Sequence, residues 1–185
     1  MTNALIVVAP GAEELETVSV IDILSRGEIN VIIGALNHEY DVDINCAHGT
    51  ILQADALLKD IDITKFDAII IPGGLQGSMN CRDSLLLGEM LRTQQANHKL
   101  IAAICAAPGL VLTAHGILSE KTPATGYPGT TDDIPCFVDE GVVVDPQNNI
   151  ITAKGPAYAT DFAFTILRYL ADDNIANKVY ADMLY

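Results

Sequence analysis

Short stretches that are apolar at nearly every position recur along the chain: Ala4–Ala9, Asn30–Leu36, Phe66–Ile71 and Leu100–Ile104. A run of strand length that is apolar on both faces predicts a buried strand of a parallel sheet. The intervening segments change period. Ala12 to about Arg26 predicts a helix whose first turn is acidic (Glu13, Glu14, Glu16) and whose stop is Gly27, both in keeping with the helix dipole and with glycine at a helix end. A loop is expected over Leu75–Asn80, then a helix from about Asp83 to Ala96. Alternation through Ile44, Cys46, Ile51 and Leu52 about Gly49 predicts a β-hairpin within Asp43–Leu57, and Val142–Val144 with Ile150–Thr152 predicts another. Leu110–Leu112 starts a short helical pattern closed by His115-Gly116, a long helix follows over Ala159–Leu170, and a helical tail runs to Tyr185. Strands alternating with helices predict a doubly wound α/β sandwich with a mostly parallel sheet, organised as one domain over residues 1–185.

Doubly wound folds bind ligands at the carboxyl ends of their strands. Three unusual loops are expected there: Pro10-Gly-Ala-Glu-Glu14, Pro72-Gly-Gly74, and the abrupt passage from Leu100–Ile104 through Cys105 into a helical segment. A strand that becomes a helix over one residue makes a sharp elbow and pushes that side chain outward. Free N–H groups at the following helix start predict a thiol that is accessible and easily deprotonated. The bland alternative is a buried, inert cysteine; the elbow weighs against it. Glu16 shares a helical stripe with Val20 and Ile23, and a carboxyl group held against apolar surface keeps its proton longer. It is therefore the expected partner of Cys105. The N–H groups of Gly73, Gly74 and Ala106 are candidates for an oxyanion hole. The first helix is apolar almost all round (Leu15, Val18, Val20, Ile21, Ile23, Leu24). This places it between the sheet and a second subunit.

Composition narrows the chemistry. A net charge of −14 over 185 residues argues against a nucleic-acid surface. Cys46, Cys81, Cys105 and Cys136 form no C-x-x-C pair, so free thiols in a reducing cytoplasm are expected, without a zinc site. No apolar run approaches a membrane span, and the first residues lack the basic region of a signal peptide. His38, His48, His98 and His115 fall in predicted turns or at helix ends, and His115 should lie at the far end of the elbow helix. A Cys–His mechanism is thus not expected. No phosphate-binding glycine pattern occurs, and neither a metal nor an organic cofactor is expected.

The segments Gly11-Ala-Glu-Glu-Leu-Glu-Thr17, Ile71-Pro-Gly-Gly74, Ala102-Ala-Ile-Cys-Ala-Ala-Pro108 and Lys154-Gly-Pro156 resemble the ThiJ/PfpI (DJ-1/PfpI) superfamily, in particular its DJ-1 branch, from Ala4 to about Leu170. The resemblance implies a flavodoxin-like fold and a homodimer packed through the first helix. It implies that Cys105 is the reactive, oxidisable cysteine, that Glu16 is its protonated partner, and that Gly73, Gly74 and Ala106 present backbone N–H groups. It also implies that Arg26 lies beside a dimer-side pocket. Activities implied are cofactor-independent conversion of methylglyoxal to lactate, repair of glycated protein or nucleotide, and, alternatively, stress sensing or chaperone action controlled by oxidation of Cys105 to a sulfinate. Two positions depart from the pattern. Tyr127 stands in the pocket-lining loop (Thr125-Gly-Tyr127-Pro128) where many members carry histidine, and is a poor base near neutral pH. Ala106 follows the cysteine where protease-like members have histidine, which disfavours proteolysis.

Overall fold

The structure, a computed structural model, describes residues 2–36 and 41–185; His38 lies outside them. The central sheet contains β1 (Asn3–Val8), β2 (Asn30–Ala35), β5 (Ala56–Leu57), β6 (Ala68–Ile71), β7 (Leu100–Ile104), β8 (Val142–Asp145) and β9 (Ile150–Ala153), in the order β5-β2-β1-β6-β7-β9-β8. All neighbours pair in parallel except β8 with β9. The helices are α1 (Glu14–Arg26), α2 (Leu75–Arg82), α3 (Leu85–Ala96), α4 (Ala159–Leu170) and α5 (Asp173–Asp182).

Each strand of the sheet's centre is apolar on both faces because each face is covered. In β1, Ala4, Ile6 and Val8 pack with Val20, Ile23 and Leu24 of α1 and with Phe162, Ile166 and Leu167 of α4. Leu5 and Val7 point the other way, toward Leu87, Met90 and Leu91 of α3 and toward Val111 and Leu112. The expected doubly wound α/β sandwich is what forms. The long parallel strands run in the flavodoxin order, with the chain winding outward on either side of β1 and β6. That reversal opens a crevice between the carboxyl ends of β1 and β6, and β7 ends beside it.

The hairpin is narrower than expected: β3 (Asp43–Asn45) pairs with β4 (Ile51–Gln53), while Ala56–Leu57 leaves to form the edge strand β5. The segment expected as a loop, Leu75–Asn80, is helical as part of α2. Gly77, Ser78 and Asn80 are poor helix formers, but tertiary contacts decide. Gly77 N–H donates to the Gly11 carbonyl (3.2 Å), and the Asn80 side-chain amide donates to the Pro10 carbonyl (2.8 Å). The helical pattern after Cys105 is a π-helical turn, Pro108–Leu112. Among the described residues no helix is long and apolar enough to cross a membrane.

Candidate active site

Cys105 directly follows β7 with φ = 64°, a left-handed conformation that a non-glycine residue rarely adopts. Its N–H is still in the sheet, donating to the Ala153 carbonyl, while its own carbonyl accepts the Tyr127 N–H at 2.7 Å. The backbone is thus fixed on both sides of the bend. Strain of this kind costs roughly 1–3 kcal/mol and persists where the surroundings over-determine it.

Glu16 comes from the first turn of α1. It is fully buried, as are Val20 and Ile23 on the same stripe. One carboxyl oxygen, Oε2, accepts the Gly73 N–H at 2.8 Å. Oε1 is buried without a conventional partner, and the Cys105 thiol is the side-chain polar group that bears on the carboxyl. Gly73 is glycine for a steric reason. A Cβ there would lie 2.4 Å from Cys105 Cβ and 2.6 Å from Glu16 Oε2, so the bare backbone is what lets the two side chains meet.

The electrostatics follow from this enclosure. Burial is the largest effect on Glu16 and raises it; the Gly73 N–H opposes this and the charge of Glu13 reinforces it, leaving a pKa of about 7. Burial, then the Glu16 charge, push the Cys105 thiol up to about 12, although the N–H groups of Gly74 and Ala106 favour the thiolate. The elbow alone therefore does not make an acidic thiol. A second negative charge in the pocket is what is costly, so the Cys105–Glu16 pair gives up its first proton near 7 and keeps the other well above neutral pH.

Of the residues expected to present N–H groups, Gly74 and Ala106 act on the sulfur. The N–H of Gly73 does not join them, because it is committed to Glu16. Cys105 and Ala106 open on a cavity of about 390 Å³ whose other walls are Leu75, Tyr127, Pro128, Gly129 and Thr130. Arg26 does not reach this cavity within the chain. It sits at the opposite end of α1, pairs with Asp22 at 2.8 Å, and lines a separate cavity with Glu28, Lys178 and Asp182.

Among the described residues, none of the other cysteines or histidines lines this cavity. Cys81 is buried, which drives its thiol up to about 12. His48 and His98 are exposed, and His115 Nε2 lies 3.2 Å from the Cys81 carbonyl oxygen, away from Cys105. Two features of this region carry no clear signal in the sequence. Leu75, placed in a loop by its neighbours, is a cavity wall at the start of α2. Glu13, Glu14 and His48 bring ligand-type atoms within 4.8 Å of one another. Their oxygens already serve the backbone: Glu13 Oε2 accepts the Glu16 N–H (2.7 Å) and Glu14 accepts the His48 N–H (3.0 Å).

A flavodoxin-like sheet with a cysteine at the bend after one strand and a buried glutamate facing it defines a narrow class of α/β proteins. The chain belongs to the DJ-1/PfpI family, whose model matches residues 2–169. It is 38% identical to protein dj-1beta of Drosophila melanogaster over 98% of this chain and 96% of that protein. It is 36% identical to the glutathione-independent glyoxalase DJR-1.2 of Caenorhabditis elegans, over 96% of this chain and 93% of that one. Its structure superposes on oxidized DJ-1 of Toxoplasma gondii with a TM-score of 0.94 and 36% identity, covering 100% of this chain and 99% of the other. These relatives put the chain in the DJ-1 branch.

Proposed function

We propose that this protein is a cofactor-independent glyoxalase or deglycase that converts methylglyoxal to lactate, or releases lactate and the free amine from the adducts methylglyoxal forms on protein and nucleotide. The carrying observation is the buried Glu16 carboxyl, poised near neutrality, against the Cys105 thiol at the wall of an open cavity. The glyoxalase name of the nematode relative supports the same reading. The Cys105 sulfur adds to the aldehyde carbon, and its proton passes through Glu16 to the aldehyde oxygen, giving a hemithioacetal. The Glu16 carboxylate then takes the proton from that carbon, and the electron pair moves into an enediolate. A proton shifts between the two oxygens, and Glu16 returns its proton to the neighbouring carbon. One carbon is oxidised and the other reduced within the same molecule, so no external oxidant is needed. Water then displaces the sulfur from the resulting thioester, releasing lactate and restoring the thiol. The Gly74 and Ala106 N–H groups stabilise charge on sulfur and oxygen along this path. The test is lactate formation from methylglyoxal without glutathione: the wild-type chain is expected to form it and Cys105→Ser to fall to background. Wild-type rates in Cys105→Ser would overturn the proposal.

A second reading has its own support. The Toxoplasma gondii structure is that of oxidized DJ-1, and a sulfinate at Cys105 of this chain would meet the same N–H groups and a protonated Glu16. Two equivalents of a peroxide convert the thiolate to the sulfinate with release of two waters, and the change would then govern partner or client binding. Mass spectrometry after mild peroxide treatment should find two added oxygens on Cys105 first. Earlier oxidation of Cys46 or Cys81 would refute it. Either chemistry suits a reducing cytoplasm, where we place the protein, and a homodimer built on α1.

A further inference from the structure

The rim of the Cys105 cavity is a built element rather than a slack loop. Tyr127-Pro128-Gly129-Thr130 is a tight turn in which Thr130 donates to the Tyr127 carbonyl from its N–H (3.0 Å) and from its hydroxyl (2.9 Å). Proline in the second position and a glycine at φ = 89° in the third are the residues a type II turn requires. The turn is tied to the bend by the Tyr127 N–H on the Cys105 carbonyl. Just before it, the Thr125 N–H donates to Thr152 Oγ1 and the Thr125 hydroxyl to the Glu140 carbonyl, both at 2.9 Å. The Tyr127 ring lies by the backbone of Gly155, where a Cβ would stand 3.2 Å from it. Leu75, 61% exposed, is another wall of the same cavity.

Two features of this cavity exceed what methylglyoxal needs. Its volume, about 390 Å³, is several times that of a molecule of five heavy atoms, given the roughly 30 Å³ share of one liquid water. Its walls offer an aromatic ring, a leucine and a proline, and none of its lining residues is a lysine or an arginine. The chain's net charge of −14 further disfavours an anionic ligand.

We infer that the site selects uncharged α-oxoaldehydes bearing an aromatic or bulky apolar substituent, with Tyr127 and Leu75 as the residues that set this preference. The inference rests on the α-oxoaldehyde reading of the Cys105–Glu16 pair and names its substrate class. The reacting carbonyls sit at the sulfur, and the substituent lies between the tyrosine ring and the leucine. A wall held by its own turn offers a ring contact at little ordering cost.

The experiment compares kcat/KM for methylglyoxal, phenylglyoxal and para-carboxyphenylglyoxal in the wild-type chain, Tyr127→Phe, Tyr127→Ala and Leu75→Ser. Phenylglyoxal should exceed methylglyoxal by roughly tenfold, chiefly through KM, since the added contact is made equally in ground and transition states. The carboxylated analogue should fall well below phenylglyoxal. Tyr127→Phe should keep the preference, whereas Tyr127→Ala and Leu75→Ser should bring the ratio toward one. A wild-type ratio at or below one, a ratio unchanged in Tyr127→Ala, or equal use of the carboxylated analogue overturns this inference while leaving methylglyoxal conversion standing. Failure to convert either uncharged aldehyde overturns both.

Discussion

The burial of Glu16 has a consequence for stability as well as for chemistry. Its carboxyl is raised from 4.5 to about 7, so the unfolded chain gives up this proton before the folded one does. Below pH 4.5 both states hold it. As pH rises toward 7 the folded state alone still binds it, so stability falls, by about 3 kcal/mol once the window is crossed. Glu16→Gln removes the titration. Urea unfolding at pH 4 and pH 8 should show the variant gaining on the wild type by that order; parallel pH dependences in the two proteins would contradict the buried position. The same substitution should lower kcat/KM for methylglyoxal about a hundredfold or more, because the proton carrier is gone. Wild-type activity should rise with pH through about 7 as the carboxylate forms. Gly73→Ala tests the contact itself. The new methyl cannot fit between Cys105 Cβ and Glu16 Oε2, so activity should be lost and thermal unfolding should show a destabilisation of about 1–3 kcal/mol. The Glu16 stripe was legible because Val20 and Ile23 mark the apolar side of α1. The direction of the Gly73 N–H was not, because it depends on where a distant helix places its carboxyl.

At the scale of elements, α1 is joined to the β3–β4 hairpin at its start. Ala47 N–H donates to the Ala12 carbonyl, Gly11 N–H to the Asn45 carbonyl, and Glu14 accepts the N–H groups of His48 and Thr50. Burial alone would raise the Glu14 carboxyl. Its own backbone N–H, then the N–H and ring of His48 and the N–H of Thr50, instead hold it at about 2. This is the opposite sign from Glu16: the stabilisation is present above pH 4.5 and is lost as pH falls through about 2. Glu14→Gln should therefore loosen the hairpin turn, and amide exchange at His48 and Thr50 should quicken by roughly tenfold or more. Unchanged exchange would mean that the backbone pairs alone hold the turn. Most elements could be read from periodicity, since the central strands are apolar on both faces and α3 and α4 carry clear stripes. The exceptions, α2 and the edge strand β5, are short. Their propensities are weak or mixed, and contacts with Pro10 and Gly11 in one case and with β2 in the other determine their form.

For the whole molecule, the decisive question is how two chains, each with a net charge of −14, associate. Coulomb repulsion between them opposes a dimer at low ionic strength, so any stable interface must be apolar at its centre. Among the described residues, α1 carries such a stripe beside the site. Leu15 is 53% and Val18 45% exposed on α1, one helical turn apart, although the opposite side of the same helix is packed against β1 and α4. The stripe ends at the Asp22–Arg26 pair. The hairpin fixed to the start of α1 adds Ile51, 64% exposed. A second copy over this stripe would account for a helix that is apolar nearly all round, and it would place the first turn of α1, with Glu16, directly behind the interface. Sedimentation velocity should find a dimer that tightens as salt is raised from about 0.05 to 0.5 M, because screening removes the repulsion and leaves the apolar contact. Leu15→Glu combined with Val18→Glu should give a monomer with an unaltered far-ultraviolet circular dichroism spectrum, since neither side chain is in the core. If α1 also depends on the partner for its position, that monomer should lose glyoxalase activity while Cys105 remains reactive toward a small thiol reagent. A dimer that persists in the double variant would place the interface elsewhere on the molecule.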